Sequence, residues 1–89
     1  MKGGRRHRND RIICKESGIP EGWVVIGECH SASCQGDGKN AWVIKRPGRR
    51  DLICSISPVP EGYRHLYPTH STACPGDGEN AVVIIKNED

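Results

Sequence analysis

The chain repeats itself. Residues 11–46 and 51–86 align without a gap at an offset of 40, which places Cys14 on Cys54 and Cys34 on Cys74. Pro20-Glu21-Gly22 falls on Pro60-Glu61-Gly62, His30-Ser31 on His70-Ser71, Gly36-Asp37-Gly38 on Gly76-Asp77-Gly78, and Asn40-Ala41 on Asn80-Ala81. A repeat of this length is one supersecondary unit that cannot bury its apolar face alone and must stack on its neighbour. The duplication also sorts positions. Residues the copies share answer a common structural demand, and residues on which they differ are exposed or specialised.

Each unit reads as three short strands. The first is Arg11–Cys14, or Asp51–Cys54 in the second copy. The Pro-Glu-Gly turn follows, with Pro fixing φ and Gly free to take positive φ. The second strand runs from Trp23 to His30, and its copy from Tyr63 to Tyr67, where Pro68 is expected to interrupt it. After the Gly-Asp-Gly turn comes Ala41–Lys45, or Ala81–Lys86. Ile and Val supply most of the apolar content and suit strands, and no segment holds the 3.6-residue period of a long helix. The expected fold is therefore all-β: a small pseudo-twofold domain made of two tandem three-stranded repeats. Residues 1–10 form a basic flexible tail, 11–46 the first repeat, 47–50 a linker and 51–86 the second repeat. Strand exchange between the repeats is left open by the sequence.

A chain of 89 residues with no Phe and one Met has little material for a core, and small scaffolds of this kind lean on staples. The five cysteines offer three readings. A disulfide within each repeat, Cys14 with Cys34 and Cys54 with Cys74, leaves Cys29 unmatched. Zinc is the second, with Cys14, His30 and Cys34 in one copy and Cys54, His70 and Cys74 in the other. Thiolate and imidazole suit that ion, but each copy repeats three ligands where a structural site takes four. Buried reduced thiols are the third. The staple reading leads, and no other cofactor is expected. The absence of an apolar leader segment favours a cytoplasmic location for a complete chain, and secretion for one processed from a precursor. No stretch approaches the length of an apolar membrane span.

Catalysis is not expected. A Cys–His pair would be duplicated identically, without a group to orient it and with little room for a cleft. Asp37 with Asn40, and Asp77 with Asn80, flank glycines, which fits turns better than calcium loops. Where the copies part company, the second strand changes most: Val24-Val25 becomes Arg64-His65, and Gly27 becomes Tyr67. Together with Trp42, which becomes Val82, the residues Arg64, His65 and Tyr67 are the candidates for contact with a protein or carbohydrate ligand. The reading is a non-catalytic binding or structural module. The alternative is a nucleic-acid-associated protein, zinc-stabilised or not, that uses its basic arm. Residues 1–11 carry five basic side chains against Asp10, a net of +4 in a chain whose total is +2. Arg5, Arg6 and Arg8 would lie along phosphates; the plainer reading is a solvated terminus.

Overall fold

The computed structural model describes residues 10–88. Six strands follow in order: β1 (Arg11–Cys14), β2 (Val24–Cys29), β3 (Ala41–Lys45), β4 (Arg50–Cys54), β5 (Tyr63–Thr69) and β6 (Ala81–Lys86). They form two antiparallel sheets, β1-β3-β2 and β4-β6-β5, each built from one repeat. No strand is exchanged between repeats. The fold is all-β, and none of the described residues is helical.

The two sheets share one register. Ile12 pairs with Val43 as Leu52 pairs with Val83, and Gly27 pairs with Val43 as Tyr67 pairs with Val83. Even the bulge repeats, between Val25 and Gly27 and between His65 and Tyr67. The largest departure from the expected boundaries is that β5 continues through Pro68 to Thr69; β2 is one residue shorter at each end than expected, and β4 begins one residue earlier, at Arg50. Proline removes only its own donor, and an edge strand leaves that side of the backbone without a ladder partner. Because β5 lies at the edge of its sheet, Pro68 sits opposite Val82 at no cost to a ladder bond.

The turns explain most of the shared residues. Gly22 and Gly62 close the Pro-Glu-Gly turns at φ +88° and +93°, a region that L side chains rarely adopt. The loops between the second and third strands are organised by Asn40 and Asn80, both buried. The Asn40 side-chain oxygen accepts from Ser31 N at 2.8 Å, and its amide donates to the carbonyls of Ser31, Cys34 and Gly36. Asn80 repeats all four bonds with Ser71, Cys74 and Gly76. A buried amide that satisfies four backbone groups locks a loop that has no ladder of its own.

Two disulfides tie these loops to the first strands. Cys14 is bonded to Cys34 and Cys54 to Cys74, each with Cα atoms 5.4 Å apart, and Cys29 is free. In the chain-entropy account, closing a loop of this length contributes about 3 kcal/mol.

The core does not divide between the repeats. One cluster joins Val25 and Ile44 of the first repeat to Cys54, Cys74 and Ala81 of the second. The other joins Val24 to Ile53, Val82 and Ile84. Neither unit holds a complete core of its own, as its size requires. The contact between the sheets is also one-way. β2 packs against β4, whereas β5 and β1 do not touch. A twofold axis would make those two contacts equivalent. The duplicated two-sheet architecture is as the sequence suggests, but at the interface the copies meet head to tail.

Candidate functional site

β2 and β5 occupy the same place in their sheets and meet different surroundings. Val24 and Val25 are fully buried, and Gly27 is buried too. The outward N–H of Val25 donates to Ser57 Oγ at 2.9 Å, and that of Glu28 to the carbonyl of Ala73 at 3.0 Å. The second repeat thus covers an edge that would otherwise present unpaired donors. Gly27 allows the close approach: a Cβ there would lie 3.3 Å from both the Cβ and the carbonyl oxygen of Ala73. Arg64, His65 and Tyr67, at the matching positions of β5, are all exposed.

Around β5 the outer face of the second sheet carries an apolar row with basic ends. Leu52, Val83 and Tyr67 stand side by side in register, and Arg50, Ile85 and Arg64 form the next row on the same face. Leu52 is 38% exposed and Tyr67 46% exposed. The Arg50 guanidinium donates to the Tyr67 hydroxyl at 3.2 Å, and that of Arg64 to the Asn87 side chain at 3.0 Å. These bonds hold the two arginines beside the apolar strip instead of leaving them to sweep through solvent. His65 falls on the opposite face, across from Ile84. Its exposure, like that of neighbouring Leu66, follows from the bulge and the uncovered edge.

Trp42 belongs elsewhere. It lies on β3 between Ile13 and Glu28, half-buried against the first core cluster. The Lys15 ammonium sits 4.3 Å from its ring centroid and pairs with Glu28 at 2.7 Å. The structure therefore brings Arg64 and Tyr67 together on one face and sets Trp42 on the other sheet. Sequence reasoning did not place Arg50 and Leu52 beside Tyr67, because only the β4–β6–β5 register reveals them as its neighbours. Their signal was present in part, since Leu52 follows the alternation that puts Ile53 inside.

The remaining candidates have structural partners. The sulfurs of Cys14, Cys34, Cys54 and Cys74 are bonded to one another in pairs, so the thiolates of the zinc reading belong to a reduced form of the chain. The His30 and His70 rings bond through Nδ1 to the carbonyls of Gly38 and Gly78, at 2.7 and 2.6 Å. Among the described residues no three His, Cys, Asp or Glu side chains converge. A depression is lined by Arg49, Lys86, Asn87 and Glu88, with no Ser, Thr, Cys or His among its lining residues. Arg5, Arg6 and Arg8 lie outside the described residues. Of the basic groups within them, Arg11 and Arg46 lie over the Trp23 ring at 5.8 and 5.5 Å, and Arg49 pairs with Glu88 at 3.2 Å. No protein-family model matches the chain, nor does any curated protein or solved structure.

Proposed function

We propose that the chain is a disulfide-stapled, non-catalytic binding module that engages a protein partner through the outer face of its second sheet. The observation that carries this reading is the row Leu52–Val83–Tyr67, in which Leu52 and Tyr67 are exposed on either side of the buried Val83, bordered by Arg50 and Arg64. Tyrosine and arginine anchor protein interfaces because they combine large contact area with directed hydrogen bonds. A segment presenting apolar side chains beside carboxylates complements such a surface: the strip takes the apolar groups and the guanidiniums take the carboxylates.

A displayed library of random peptides tests it. Peptides enriched on the oxidised protein are expected to combine apolar residues with Asp or Glu. Their binding should fall at least tenfold on Tyr67→Ala or Arg64→Glu and stay level on Lys39→Ala, an exposed loop position of the first repeat. Enriched peptides indifferent to Tyr67 and Arg64 would move the site elsewhere. The nucleic-acid alternative has its own test, the retention of the full chain and of a chain lacking residues 1–10 on nonspecific DNA and RNA at two salt concentrations. Salt-sensitive retention that disappears with the arm would replace the protein-partner reading.

A further inference from the structure

The docking between the repeats has two sides, a socket and a plug. The socket is the β2 edge: Val24 and Val25 enter the two core clusters, Gly27 lets Ala73 approach, and the N–H groups of Val25 and Glu28 find acceptors. The plug is the second repeat's Ile53, Ser57, Ala73 and Cys54–Cys74 bridge. Each side exists twice in the chain, and each is used once. The unused plug is on the first repeat. Ser17 matches Ser57, Ile13 matches Ile53, Ser33 matches Ala73, and Cys14–Cys34 matches Cys54–Cys74. It is chemically intact and open. Ser17 is exposed and Ile13, Cys14 and Cys34 are half-buried, whereas Ser57, Ile53, Cys54 and Cys74 are buried.

The unused socket is β5, where the two valines, the glycine and one of the two outward donors that make β2 a socket have been lost, and the N–H of His65, matching that of Val25, remains. The two buried valines are replaced by Arg64 and His65, which would take polar or charged side chains into an apolar core. The glycine is replaced by Tyr67, at a position where even a Cβ is tight against the incoming loop. The residue whose N–H meets the Ala73 carbonyl is replaced by Pro68, which has no N–H. A head-to-tail contact that does not close repeats indefinitely unless one end is disabled. We propose that β5 is a terminated copy of the docking edge. Its four substitutions keep further copies of this chain from stacking through the open plug of the first repeat. The point is separate from the binding reading, because its readout is the mass of the particle and involves no ligand.

Restoring the socket tests it. The variant carrying Arg64→Val, His65→Val, Tyr67→Gly and Pro68→Glu regains the β2 residues at all four positions. Light scattering should give one chain's mass for the wild type. For the oxidised variant the mass should rise with concentration to that of two chains or more. Adding Ser33→Trp, an exposed change on the open plug, should return the variant to one chain. Should the fourfold variant precipitate, Tyr67→Gly with Pro68→Glu alone restores the space and the donor, and should show weaker association in the same direction. A restored variant with native circular dichroism that stays a single chain overturns the proposal, as does association indifferent to Ser33→Trp. So does a wild type that itself associates through Ser33.

Discussion

β2 and β5 show how one strand of a duplicated unit becomes the centre of a molecule in one copy and its rim in the other. Backbone pairing, bulge and flanking turns are the same in both. The difference rests on side chains at four positions. In β2 they are two small β-branched residues, a glycine and a residue whose N–H donates to the Ala73 carbonyl; in β5 they are Arg64, His65, Tyr67 and Pro68. The pairing of a strand within its sheet is thus separable from what its outer edge accepts. The second property is set by charge, by space and by one backbone donor.

Exchanging residues between the two strands should break the comparison most sharply. Val24→Arg puts an unpaired charge among Ile53, Val82 and Ile84 and is expected to cost about 4 kcal/mol or to prevent folding. Arg64→Val at the matching position of β5 should change stability by no more than about 0.5 kcal/mol. Urea unfolding of the two variants measures both, and equal costs would mean that β5 is covered in solution. Next come the staples. Replacing Cys14 and Cys34 by alanine should cost about 3 kcal/mol. The same change at Cys54 and Cys74 should cost a further 1 kcal/mol or more, roughly, because those sulfurs also fill the core. Thiol titration of the unreduced wild type should find Cys29 alone, and five free thiols would remove this difference between the bridges.

Smaller effects sharpen the contrast between what the repeats share and what they do not. Asn40→Ala and Asn80→Ala should each cost about 2 kcal/mol, since each leaves several backbone groups without a partner. Near-equal costs are expected, because the loop is a property of the unit. Ser57→Ala should cost about 1 kcal/mol through the N–H of Val25. Ser17→Ala should cost close to nothing, since Ser17 is exposed. A Ser17 effect as large as that of Ser57 would show that the first repeat's plug is filled.

The units, their strands and the cysteine pairs were legible because a duplication compares the sequence with itself. Shared glycines marked turns that need positive φ, and the shared asparagines proved to be the hubs of the loops. The direction of stacking was harder to read. Two copies of one unit offer two equivalent sockets and two equivalent plugs, and symmetry suggests using both. The clue was the replacement of valines by Arg64 and His65, which reads as a changed surface whether or not its counterpart is an interface. Pro68 misled in a simpler way, since proline ends a central strand but is tolerated at an edge. The place of Arg50 and Leu52 beside Tyr67 depended on cross-strand register, which no single strand's pattern contains.

The one-way contact also has a consequence in time. The β2 edge is closed by acceptors 32 and 45 residues further along the chain, at Ser57 and Ala73. A ribosome adding about 5–20 residues per second leaves that edge waiting for several seconds, with two valines and unpaired donors facing whatever is nearby. The second repeat, made last, faces no such delay, because the strands of its own sheet complete β6 and its partner in the interface has already been made. A nascent chain halted shortly after Cys54 should therefore be the most aggregation-prone length, and extension past Ala73 should relieve it. The recoding of β5 then has a use even before the protein is finished: the last strand edge to emerge offers no site to the exposed plugs of neighbouring nascent chains.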